Sequence, residues 1–545
     1  MGIFIYEAIS ESVTKEEWKQ VYEETLVLVK AFPLAEIGTI TYAGKTIMCT
    51  VRSKEQVIGS GMYKRFGWNA SMDYDTLEGA EDYFLPKDLV RDRQVYAKAG
   101  DAMLGVLPIY LDYDWNDEIC SHTYSLWDSK TQGKPYHIYL LAIACLIEDR
   151  LGEKAFVYGD ITLGQCRKAV KMANMYLKKP IHVPAHCDMD RLYKRVQKLP
   201  LEEAEKVAIF ECSYLGAKDK NFYEFENQHF SSITIEQHWK KILSTSIIGT
   251  RGFYQDLKRY LSAGLNIEKL CNMVHLERDG KPQYEKFIIA IMNSKLHQKE
   301  KNTRDCLDIN PEMEHPYGID RLFATFTFGD AHNPRVDRYV PIEEIRTALK
   351  NGIGTKCDVD QYIDQYLKEE AAAPEINIAE MELSEDKLEH LSDADKSEVF
   401  QQFIDKSTEE VYQKYDKYEI VDYEDLFRYK NGNTVEPELV KSLVSSFKIY
   451  HSAVKEQCYK DLMKKTYEER SAFLIEQNQY LMLRDIDWKH IFSEIQNNPD
   501  VYERYYPMVR VKCDSTSLNQ IVRGFVLNDD LYAFVEGLSN EDYKQ

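Results

Sequence analysis

The sequence predicts an α+β protein that is predominantly helical. It has a small N-terminal α/β module, a central helical array, a short β-hairpin element and a helix-rich C-terminal domain. Three observations point there. Apolar residues recur at helical period from 188 to 299, and the interruptions fall at Pro200, Gly216, Gly249, Gly264 and Gly280, residue types that end helices. Strand chemistry is confined to short runs, chiefly 3–8, 38–52 and 319–328. Of the 545 residues, 44% are hydrophobic and 29% charged, which supplies several cores, and one acidic stretch at 369–398 breaks that composition.

Residues 3–8 (Ile-Phe-Ile-Tyr-Glu-Ala) read as a strand. Thr14 and Glu17 have the spacing of a capping box and open an amphipathic helix that ends near Ala31-Phe32-Pro33. Thr39–Tyr42 and Thr46–Arg52 form a hairpin turning at Ala43-Gly44. This β-α-β-β beginning assigns 1–130 to a small α+β module. Within it a polar stretch runs to about residue 100, and Leu107–Leu111 reads as a further strand.

Residues 131–368 read as a mostly helical domain with a βα unit and a late β-hairpin. Tyr136–Leu151 is apolar nearly all round, the mark of a buried helix. Ala155–Tyr158 is a strand and Thr162–Leu177 a helix. Helices at 188–199, 201–214, 234–247, 252–263, 266–276 and 282–299 follow, joined by short links that suit an array or bundle. Residues 319–328 and Arg338–Pro341 read as paired strands, and Ile342–Asn351 as a helix. Eleven acids against Lys387 and Lys396 make 369–398 an acidic linker. Residues 399–545 form the C-terminal domain, with a small β element at Met508–Lys512 and Phe525–Leu527.

The formal charge is −21. That balance argues against indiscriminate binding to nucleic acid or an anionic membrane. Eleven scattered cysteines, none spaced Cys-x-x-Cys, read as free thiols of a reducing compartment, so the expected location is cytoplasmic. The N-terminus lacks a signal-peptide pattern. Apolar runs such as Leu140–Ile147 are far short of the roughly 20 residues a membrane span needs. There is no GxxxxGK[ST], HExxH, EF-hand loop or kinase set, so no cofactor is expected.

Three local features stand out. In Tyr158-Gly-Asp160-Ile-Thr162-Leu-Gly-Gln165 a strand ends at Asp160 and a helix begins at Thr162, a junction where ligands often sit. Asp160 can act there as a general base, or it can buttress a Thr162–Gln165 capping box. The second feature is a basic island in an acidic chain: Arg167, Lys168, Lys171, Lys178, Lys179, Arg191, Lys194, Arg195 and Lys198, against Asp188 and Asp190 alone. Arg191, Lys194, Arg195 and Lys198 share one helix face by their spacing, a surface for an anionic ligand, nucleic acid or acidic segment, or simply a solvated face. The acidic linker is a candidate internal occupant. The third feature is the loop of Asp330, His332, Arg335, Asp337 and Arg338, where acid–base chemistry or a hard metal site competes with a polar hairpin tip.

His182-Val-Pro-Ala-His186-Cys187 can in principle ligate zinc. Pro184 keeps the pair off a regular helix and a fourth ligand must come from elsewhere, so no metal is expected. Tyr502, Tyr505 and Tyr506 read as packing residues rather than an interface. The leading functional expectation is a protein-interaction or regulatory component with a protein partner, for example a basic nuclease or toxin. The alternative is a hydrolase-like enzyme on a phosphorylated or nucleic-acid substrate, using Asp160, the island and the 330–338 loop.

Overall fold

The computed structural model describes residues 2–541 apart from 43, 53–54, 61–62, 90–99, 112–113, 115, 121, 279, 300–309, 316–335, 337, 373–408, 411–412, 479 and 514. The protein is α+β and predominantly helical. Its first elements are β1 (Phe4–Ser10), α1 (Lys15–Ala31), β2 (Leu34–Tyr42), β3 (Lys45–Arg52), β4 (Glu55–Ser60), β5 (Tyr63–Asp73), β6 (Gly79–Pro86), α2 (Leu107–Leu111), β7 (Thr123–Lys130), α3 (Tyr136–Leu151), β8 (Ala155–Gly159) and α4 (Leu163–Ala173). The chain divides into two compact units, Met1–Ala31 with Leu85–Asp405, and Phe32–Phe84 with Lys406–Gln545.

The first unit is built on an antiparallel sheet in the order β7-β1-β8. Phe4 pairs with Lys130 and Ile5 with Gly159, and a bulge falls between Glu7 and Ala8. Gly159 adopts a positive φ of 119°, and a side chain there would also run into the Phe4 carbonyl. The Thr14–Glu17 capping box forms: Glu17 N–H donates to Thr14 Oγ1 (3.2 Å), and Thr14 N–H to Glu17 Oε2 (2.8 Å). Helix α3 is buried along almost its whole length, including Leu140, Leu141, Ile143, Leu146 and Ile147, as its all-round apolar surface requires.

Beyond α4 comes the helical array: α5 (Met189–Gln197), α6 (Glu203–Ser213), α7 (Lys220–His229), α8 (Ser232–Thr245), α9 (Arg251–Ser262), α10 (Ile267–Met273) and α11 (Tyr284–Asn293). Helix α7, capped by Asp219, was not legible in the sequence. Its core includes Leu192, Phe210, Phe222, Trp239 and Leu257, together with Ala8 and Phe156 of the sheet.

Two expected strands of this unit are not strands. Leu107–Leu111 is helix α2, continuing a 3-10 turn at Ala102–Val106. A five-residue apolar run carries no period, and Pro108 suits a helix's first turn. Arg338–Pro341 is irregular: Val340 N–H donates to Leu296 O (2.8 Å), and Arg338 Nη1 to the carbonyls of Leu261 and Leu265 (3.2 Å each). Its expected partner, 319–328, lies outside the described residues. The start of the expected linker is helical, since a helix spans Val359–Ala372. There Glu370 pairs with Lys295 and with His297.

In the second unit the strands run β3-β2-β5-β4, with β6 on β5. The β2–β3 hairpin runs from Ala35↔Arg52 to Tyr42↔Lys45 and turns at Gly44, φ +74°. The stretch read as merely polar thus holds three further strands. The C-terminal part is helical, including Pro437–His451, Tyr467–Gln477, Asp485–Asn497, Tyr502–Val509, Thr516–Leu527 and Asp529–Glu541. The β element expected at Met508–Lys512 and Phe525–Leu527 is therefore corrected. Ser515 caps the helix from Thr516, accepting from Leu518 N–H, and Ile521, Val522, Phe525 and Val526 form its buried stripe.

Ile47 of β3 shares one core with Leu443, Trp488, Ile491 and Phe525. Tyr42 stacks on Phe492 at 4.0 Å and hydrogen-bonds with Tyr467. Arg523 Nη1 donates to Thr76 O (2.7 Å). Tyr502, Tyr505 and Tyr506 are buried. No described helix is long and apolar enough to cross a membrane.

Candidate functional site

A cleft of ≈250 Å³ opens in the first unit between the C-terminal end of α3, the 183–185 segment and α5. Arg191, Lys194, Arg195 and Lys198 line it, together with Glu148, Asp149 and Glu153. The i, i+3, i+4, i+7 spacing does place the four bases on one side of α5. They are not equivalent, however.

Arg195 is buried, 6% exposed, and clamps Asp101 bidentately: Nε donates to Oδ2 and Nη2 to Oδ1, both at 2.8 Å. Its other bonds go to Glu148 Oε1 (3.3 Å) and to the carbonyls of Glu153 (3.2 Å) and Ala155 (2.8 Å). Glu148 is fixed in turn by N–H donors from Val157 and Ala185, each at 3.0 Å. Burial pushes the Asp101 and Glu148 carboxyls up, and Arg195 opposes this. Glu7 on β1 is fully buried, with neither carboxylate oxygen hydrogen-bonded. Burial, then the Glu148 charge, hold its carboxyl well above the usual range. Arg195 is therefore an internal strut between α5, α3 and the Asp101 turn.

Arg191, Lys194 and Lys198 are exposed on the rim. Lys198 pairs with Glu153, and Arg191 Nη1 donates to Val183 O (2.6 Å). Asp149 is held by Arg150 (2.5 Å) and His182 (3.1 Å).

The remainder of the island divides similarly. Arg167 pairs with Glu312, and Lys168 Nζ meets His315 Nδ1 at 3.1 Å. Lys171, Lys178 and Lys179 are exposed. Residues 311–315 cover the N-terminus of α4: Gly164 N–H donates to Pro311 O (2.8 Å), and Gln165 Nε2 to His315 O (2.9 Å). The chain's own backbone thus occupies the helix N-terminus at this strand–helix junction. The Thr162–Gln165 capping box is present. Asp160 Oδ2 accepts from Phe4 N–H (2.8 Å), tying the end of β8 to β1, and Asp160 does not line the cleft. Asp330, His332, Arg335 and Asp337 lie outside the described residues.

Two groups of residues go beyond those the sequence singles out, the second of them only in part. One surrounds Glu211, which bonds His238 (2.7 Å) and Arg259 (2.5 Å). Burial alone would raise this carboxyl, but His238 and Arg259 bring it down to about 2. Glu226 close by is pushed up to about 8 by burial and by the Glu211 charge. The other is a buried cluster in which the ligand atoms of Cys166, His186 and Cys187 all lie within 4.8 Å of one another. His182, the other expected partner of His186, faces solvent beside Asp149 instead.

Compared with family models, curated proteins and solved structures, the chain matches none.

Proposed function

We propose that this protein is a binding component, and that the cleft of its first unit receives a segment of another polypeptide. One observation carries the reading: exposed Arg191, Lys194 and Lys198 stand beside Glu148, Asp149 and Glu153 around a single cleft. A uniform polyanion such as a nucleic-acid backbone would meet those carboxylates. A polypeptide offers both donors and acceptors at close spacing, so it can answer both signs. The buried Arg195–Asp101–Glu148 network supports the rim with fixed geometry, which lowers the cost of ordering on binding. The nine described cysteines, all unpaired, favour a cytoplasmic setting. The enzyme alternative rests on Asp160, which tethers Phe4 N–H, and on the 330–338 loop, most of which lies outside the described residues.

The test is affinity purification of the native protein beside an Arg191→Glu/Lys194→Glu variant and a Lys178→Glu/Lys179→Glu control. A stoichiometric protein partner should be retained by wild type and control. It should be lost at least tenfold by the cleft variant and weakened as salt rises. Equal retention by the cleft variant, or nucleic acid as the material it loses, overturns the reading.

A further inference from the structure

Three metal-ligating side chains meet in the interior of the first unit, with a fourth beside them. Cys166 projects from α4. His186 and Cys187 lie in a single 3-10 turn, Ala185–Cys187, that precedes α5. Cys145, on α3, is buried beside Cys166, but its sulfur lies outside the set of mutually close ligand atoms, so it completes the set only by moving in. All four residues are buried. We propose that Cys145, Cys166, His186 and Cys187 form a structural site for a thiophilic divalent metal ion of the zinc class.

Three thiolates and one imidazole are a recurrent ligand set for closed tetrahedral zinc. With Zn–S about 2.3 Å and Zn–N about 2.0 Å, a tetrahedron has ligand–ligand edges of about 3.3–3.8 Å. The triad of Cys166, His186 and Cys187, already within 4.8 Å, needs only a small contraction to reach them. Buried thiols alone can be plain packing residues. Packing does not explain the imidazole. His186 Nε2 is buried without a hydrogen-bond partner, and an unsatisfied buried polar atom costs free energy unless something answers it.

Burial pushes the Cys145 and Cys187 thiols up, and Cys145 raises Cys166. Without metal the thiols are protonated, and each that ligates gives up its proton to solvent. A dication with three thiolates carries one net negative charge. The Arg195 guanidinium, already paired with Asp101 and Glu148, lies 5.2 Å over the Phe156 ring, whose centroid is 5.2 Å from that of His186. The ion would tie α3 and α4 to the turn that leads directly into α5 and the cleft. The inference does not depend on the polypeptide-binding reading.

The test uses the full chain, purified under reducing conditions without chelator, and then made metal-free and titrated with Co(II). The expected result is one equivalent bound, with the visible bands of tetrahedral cobalt and thiolate charge-transfer bands. Cys187→Ser should abolish them. Cys145→Ser should weaken binding at least tenfold, while exposed Cys212→Ser and the Arg191→Glu/Lys194→Glu variant should leave the spectrum unchanged. Should Cys187→Ser fail to fold, the wild type still decides, because its melting temperature should rise with zinc and fall with chelator. Absence of tetrahedral bands, an unchanged spectrum in folded Cys187→Ser, an unmoved wild-type melting temperature, or a Cys166–Cys187 disulfide in metal-free isolated protein overturns the proposal.

Discussion

Glu226 and Glu211 show how far one side chain's surroundings decide its chemistry. Both are buried, yet one carboxyl is pushed up to about 8 and the other brought down to about 2. The difference is that Glu211 takes His238 and Arg259 as direct ion-pair partners, whereas burial and the Glu211 charge act on Glu226. A raised folded pKa means that Glu226 stabilises the fold below the ordinary glutamate range and loses that contribution as pH climbs toward 8. Glu226→Gln should therefore gain stability relative to wild type between pH 5 and pH 8, by at most about 1.4 kcal/mol per pH unit. Urea midpoints at pH 5, 6.5 and 8 measure this, and a constant difference would remove Glu226 as the cause. None of it was legible beforehand. In a helical sequence Arg195 looks like Arg191 or Lys194, and only the positions of Asp101 and Glu148 turn it inward. His186-Cys187 was noticed as a pair, but Cys145 and Cys166 are distant in sequence, and their convergence is a product of packing.

At the scale of elements, long periodic segments and capping boxes were readable because their signals are local. Helix α3 begins and ends where its apolar run does, and the boxes at Thr14–Glu17 and Thr162–Gln165 both form. Short apolar runs were not readable, since Leu107–Leu111 and Phe525–Leu527 fit either period and tertiary packing made both helical. The polar strands β4 to β6 were missed because their alternation is weak. The cap of α4 has a measurable cost. Thr162→Ala removes the acceptor for Gln165 N–H and the hydroxyl's bond to Met313 O, so it should destabilise the first unit by about 1 kcal/mol. The urea midpoint of that unit should fall, while Thr234→Ser, which keeps its hydroxyl, should leave it nearly unmoved.

At the scale of the whole molecule, the chain enters the second unit twice. Residues 32–84 supply its sheet and 406–545 supply its helices, and Ile47, Ile40 and Tyr42 pack into a core made by the C-terminal residues. A chain ending at residue 405 should therefore leave that sheet without its core. It should show increased dye binding to apolar surface and lose the second unit's unfolding transition, while the far-ultraviolet signal of the first unit persists. Retention of both transitions would contradict the shared core.

That division also orders events during synthesis. Strands β2 to β6 leave the ribosome about 320 residues ahead of the helices that complete their core. At about 5–20 residues per second the wait is about 16–64 s. For that interval the nascent chain carries an unfinished sheet while the first unit is being translated through it. The helices that complete it come only after the first unit, so the second unit can close only once residues 406–541 have emerged.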